Sequence, residues 1–132
     1  MTSLFASFER DESNTYIITL TGSPSLTTYN EQFLDKLSEI LNHRVKVTFL
    51  IDASAVFGIN VLMAHSTVRW MRVHRELVHT YLRGTVVVTQ NQMVHKMIQF
   101  VLKLQTPAAP FQTVRTLEEA HEYVNTVLNV DA

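Results

Sequence analysis

One stretch constrains this chain more than any other: "VKVTFLIDAS", residues 45–54. From Val47 to Ile51 the residues are β-branched or apolar, without the polar alternation of a strand that has one wet face. Such a strand is covered on both sides, which places it centrally in an α/β layer fold. The strand is expected to end on Asp52, followed by a turn with one glycine, Gly58, and a helix opened by Asn60. Strand end, short turn and helix start form the mouth where α/β folds hold ligands, because unpaired backbone N–H groups point into it.

The flanking segments supply the remaining elements. "LFASFERDESNTYIITLTG" reads as two strands around the polar turn Asp11–Asn14, with Tyr16, Ile18 and Leu20 alternating against Ile17, Thr19 and Thr21. Thr28-Tyr-Asn-Glu31 has the spacing of a capping box, and Phe33, Leu34, Leu37, Ile40 and Leu41 then mark one helical face. Helical spacing runs from Asn60 to Leu82, followed by Gly84 and the strand "TVVVTQ". Asn91 can cap the helix "QMVHKMIQFVLKLQ", which stops before Pro107. "FQTVRT" is a short last strand, and Thr116-Leu-Glu-Glu119 opens a final helix through Val127 with a second capping box. The expected fold is α/β: one domain over residues 1–132, a mixed sheet with an opening β-hairpin and the order ββαβαβαβα.

Composition narrows the function classes. A chain of 132 residues, 46% hydrophobic and 17% charged, buries enough apolar surface for one core and is not a disordered chain. The absence of cysteine excludes disulfides, thiolate metal sites and a cysteine nucleophile. The start "MTSLFASFERDES" has no basic flank, and no apolar run approaches the ~18 residues of a membrane span. A cytoplasmic, soluble protein is expected. Residues 61–103 carry Arg69, Arg72, Arg75, Arg83, Lys96 and Lys103 against Glu76 alone. Such a basic face can attract nucleic acid, anionic lipid or an acidic partner; without the interleaved aromatics of single-strand binders, nucleic acid is not expected.

Three stretches together resemble the SpoIIAA-like proteins of the STAS superfamily, the anti-sigma-factor antagonists and their STAS/SEC14-type relatives: "FLIDASAVFGINVL", "GTVVVTQNQMVHKMIQFVLKL" and "FQTVRTLEEAHEYVNTVL". The resemblance implies a non-enzymatic regulatory module that binds a protein partner. In switch-type antagonists an Asp-Ser-Ser-Gly-like turn after the central strand carries a serine phosphorylated by a partner kinase. Matching Asp52 and Val56 to that pattern puts Asn60 on the acidic position and Val61 on the phosphoacceptor position. Valine has no hydroxyl, so serine switching is not expected here. Ser54 falls outside the matched position and is read as a structural turn residue.

The residues themselves give no positive sign of catalysis. Asp52 could bind a cation or act as a base, but its ordinary role at such a turn is to accept backbone N–H bonds. The spacings of His65, His74 and His79 do not set two imidazoles one turn apart on one helical face, and no nucleophile elbow, phosphate loop or dinucleotide fingerprint occurs. No metal and no cofactor is expected. In the helix from Asn60, Val61, Ala64, Val68, Met71, Val78 and Leu82 form one apolar stripe and Met63, Trp70, Leu77 and Tyr81 another, with His65, Arg69, Arg72, Glu76 and His79 opposite. The arc is wider than one sheet contact needs, so its second stripe meets another helix, a homodimer partner or a ligand cavity. In the helix after Asn91, Val94, Met97, Ile98, Val101 and Leu102 form a core face that Met93, Phe100 and Leu104 extend.

Two functions follow as expectations. The first is a non-enzymatic interaction module that binds a protein partner or itself. It would use the mouth from Asp52 through Ser54 to Asn60, the loop with Thr89 and Gln90, and the helix face with Arg69, Trp70 and Arg72. The alternative is a carrier or sensor of a lipid-like amphiphile held beside Trp70, Met71, Met97 and Phe100.

Overall fold

The computed structural model describes residues 4–130, so residues 1–3 and 131–132 of the expected domain lie outside the described residues. Strands β1 (Ala6–Arg10), β2 (Thr15–Gly22), β3 (Val47–Val56), β4 (Leu82–Val88) and β5 (Phe111–Val114) form one sheet in the order β1-β2-β3-β4-β5. β1 is antiparallel to β2, and every other pair is parallel. The hairpin turns on Asp11, whose Oδ1 accepts from the N–H groups of Ser13 and Thr15, and on Asn14 at φ 60°. Asparagine tolerates that left-handed conformation because its short polar side chain can bond locally.

Period-two alternation divides the core. Phe49, Ile51, Ala53 and Val87 face one layer, built by α1 (Leu26–Tyr29), a π-helical segment (Asn30–Leu34), α2 (Asp35–Leu41), α3 (Val61–Val73), α4 (Arg75–Tyr81) and α5 (Gln92–Leu104). Leu50, Val86 and Val88 face the other, sealed by α6 (Leu117–Tyr123) and the π-helical turn after it through Ala120, Val124 and Leu128. The mixed sheet, opening hairpin and element order agree with the sequence reading.

Four details differ from it. β3 does not end on Asp52: pairing with β4 stops there, at Val88, but an irregularity after Thr19 lets Thr21 and Gly22 pair with Ala55 and Val56. The helix expected from Asn60 to Leu82 is broken at His74 (φ −102°, ψ 16°), and Leu82 already belongs to β4. The His74 ring is held at the break, stacked on Trp70 at 4.7 Å and bonded to Ser38 Oγ at 3.0 Å. Ser25, not Thr28, caps the first helix, accepting the Thr28 N–H at 3.1 Å. Finally, Leu102 does not belong to the core face of α5, Met93, Phe100 and Leu104 do not extend it, and Val61 does not join that of α3; all five side chains are exposed.

Candidate functional site

The mouth lies where β3 and β4 end and α3 and α5 begin, and each of its polar side chains makes a hydrogen bond within the chain. Asp52 Oδ1 accepts from the Ser54 N–H (3.0 Å) and Oγ–H (2.6 Å). Asn60 Oδ1 caps α3 by accepting the Met63 N–H. Gly58 is required by a close approach, because a Cβ there would meet Ser23 Oγ at 2.6 Å. On the β4 side, the buried Thr89 accepts the Asn91 N–H through its hydroxyl, and Gln90 donates to the Arg115 carbonyl. Asn91 joins the two halves: its Oδ1 accepts the Met93 N–H at 2.8 Å and its Nδ2 donates to the Val56 carbonyl at 3.0 Å. Nothing in this set pairs a nucleophile with a histidine base. Among the described residues no cluster of three histidine or carboxylate side chains is placed to hold a metal ion.

Behind the mouth, between the sheet and the α2, α3 and α5 helices, lies a cavity of ≈ 180 Å³. Phe33, Leu37, Ile51, Trp70, Met97 and Ile98 are among its walls, and no charged residue is. Only Tyr29, Thr67, Trp70 and Thr85 among the lining residues carry a side-chain nitrogen or oxygen. Thr67 Oγ donates its one hydrogen to the Met63 carbonyl (2.9 Å), so in its 2.7 Å bond with Tyr29 the tyrosine donates. Burial pushes the Tyr29 hydroxyl up to about 12. Trp70 Nε1 donates to Ser38 Oγ at 2.7 Å. Tyr29, Thr67 and Trp70 thus already have partners, and a wall with so few polar groups offers little to water, which needs two to four hydrogen bonds to be held.

The structure thus separates the residues that the sequence grouped. Asp52, Ser54, Asn60, Thr89 and Gln90 belong to the mouth; Trp70 belongs to the cavity. Arg69 is exposed on the outer side of α3, and Arg72 reaches Gln105 Oε1 and the Leu104 carbonyl at the end of α5. Of the pocket residues named from sequence, Trp70, Met71 and Met97 line the cavity, whereas Phe100 lies outside it against His65. Tyr29 and Thr67 were missed. Tyr29 was hidden inside the misplaced capping box, and a threonine within an amphipathic helix carries no signal of its own.

The SpoIIAA-like family model matches residues 15–125. Among solved structures, the unphosphorylated anti-sigma factor antagonist SpoIIAA superposes with a TM-score of 0.62 at 18% identity, covering 92% of this chain and 99% of that one. An uncharacterized DUF3478-family protein with a SpoIIAA-like fold from Shewanella loihica PV-4 gives 0.57 at 11% identity, covering 89% and 90%. No curated protein matches the sequence.

Proposed function

The chain belongs to the SpoIIAA-like family, and we propose that it is a non-enzymatic binding module whose ligand is an apolar or amphiphilic small molecule held in the cavity beneath α3 and α5. The cavity is the observation that carries this reading. A space of ≈ 180 Å³ with an almost wholly apolar wall favours an apolar occupant, since each CH₂ group moved there from water contributes about 0.8 kcal/mol. An engineered void of about 150 Å³ with a comparable apolar wall stays dry and takes up benzene, so an alkyl chain is a fitting occupant here. Occupancy would be felt at the mouth, because α5 lines the cavity with Val94, Met97 and Ile98 and begins at Asn91, which holds the Val56 carbonyl.

Thermal unfolding of the chain with a panel of alcohols, fatty acids and lysophospholipids tests the reading. A ligand at a hundred times its dissociation constant adds about 2.7 kcal/mol and raises the melting temperature. No shift across the panel, together with a native mass equal to the bare chain, refutes it.

A second reading, supported by the likeness to an anti-sigma factor antagonist, is regulation by a protein partner at the mouth, where Phe57 and Val61 are 69% and 57% exposed. It would operate without a serine switch, since Val61 occupies the matched position.

A further inference from the structure

We propose that the outer face of α3 and α5 docks on an anionic lipid bilayer. On α3, Leu62, His65, Arg69 and Arg72 recur at spacings of three and four and are all exposed; Met93, Lys96, Phe100 and Lys103 do the same on α5. The two stripes adjoin: the His65 ring meets Phe100 edge-on at 5.5 Å, and Arg72 Nε donates to Gln105 Oε1 at 3.0 Å. Neither Val61–Val73 nor Gln92–Leu104 contains an acidic residue, and the one salt bridge among the described residues, Lys36–Glu39, lies elsewhere. The face therefore combines cations that no carboxylate neutralises with large apolar side chains left in water, Leu62 at 57% and Met93 at 56% exposure.

Charge decides the occupant. A second copy of the chain, docked by a two-fold axis, would set Arg69, Arg72, Lys96 and Lys103 against the same four cations. A nucleic acid would satisfy the cations but leave Leu62 and Met93 against phosphates, with only Phe100 and the His65 ring, edge-on to it, to stack on. An anionic bilayer takes both components: the lysine and arginine heads stay at the headgroup level, their stems lie along apolar surface, and the leucine, methionine and phenylalanine enter the acyl boundary. No helix of the described residues is long and apolar enough to cross a membrane, so the contact is peripheral.

Co-sedimentation of the full chain with phosphatidylcholine vesicles, with and without phosphatidylserine, tests this. Binding is expected only to the phosphatidylserine vesicles, and to weaken with added salt. At about fivefold per basic residue near an anionic surface, Arg69→Gln with Lys96→Gln should weaken it roughly 25-fold. Leu62→Ala with Met93→Ala should weaken it at unchanged charge. These side chains are exposed, so circular dichroism should show each variant folded, and amphiphile-induced melting shifts should persist in the charge variant whether or not it binds vesicles. The proposal fails if folded wild type ignores phosphatidylserine vesicles or if the charge variant binds them as tightly as wild type. It fails equally if single-stranded RNA binds as tightly as vesicles and is indifferent to Leu62→Ala with Met93→Ala.

Discussion

Tyr29→Phe should change the pH dependence of stability in a way that its contacts at neutral pH do not reveal. Tyr29 is 4% exposed and donates to Thr67, whose own hydrogen remains committed to the Met63 carbonyl. Removing the hydroxyl deletes one neutral hydrogen bond and orphans no donor, a cost of about 1 kcal/mol near pH 7. The folded phenol titrates at about 12 against 10.0 for the free group. Between those values the unfolded state has released its proton while the folded state still holds one, so the wild type loses stability as pH rises. The loss is about 1.4 kcal/mol by pH ~11 and between 2 and 3 kcal/mol, roughly, by pH ~12. The phenylalanine variant has no such loss at this position. Urea unfolding of both proteins should give a wild type about 1 kcal/mol more stable near pH 7, with parity near pH ~11 and the variant more stable above it. A gap that stays constant across this range would show that Tyr29 is not buried as its environment requires.

Substitutions at two further positions probe the frame of the fold. Asn91→Ala removes the cap of α5 and the donor to the Val56 carbonyl, and should cost about 2–3 kcal/mol in urea unfolding; Asn91→Asp, which keeps the cap but lacks the donor, should fall between. Gly84→Ala sets a methyl group against the Leu128 side chain and 3.0 Å from the Pro110 carbonyl, and should destabilise by about 1–3 kcal/mol; a urea midpoint equal to wild type would mean that the turn after α6 is not packed on β4.

How far the fold could be read depended on what each residue senses. The run Val47–Ile51 was legible because burial on both faces removes polar alternation, and the hairpin was legible because Asp11 and Asn14 carry the chemistry of a turn. The continuation of β3 past Asp52 was not, since it depends on a register irregularity in a neighbouring strand. The break at His74 left the hydrophobic period intact: Val68 and Val78 are both buried, on either side of it. Its determinants, Trp70 and Ser38, lie on the same helix and on a distant one, and only the second closes the contact. For the candidate site, the polar residues of the mouth were found by motif logic, whereas a cavity is an absence of atoms and has no sequence signature.

The wide apolar arc of α3 shows why composition alone could not distinguish among its partners. Met63, Ala64 and Val68 pack into the protein, and Trp70 and Met71 line the cavity, so the two inward directions are used within one chain and need no second copy. Leu62 points the other way, in register with Arg69, and α5 divides in the same manner, with Met97 inward and Met93 and Lys96 outward. Each helix therefore presents an apolar wall to the cavity and a mixed cationic and apolar face to the exterior. Arg72 ties α3 to the end of α5 through Gln105, and Asn91 ties the start of α5 to the end of β3. Cavity and outer face are separated by one helix, which is the arrangement a protein needs if what it holds inside is to alter what it touches outside.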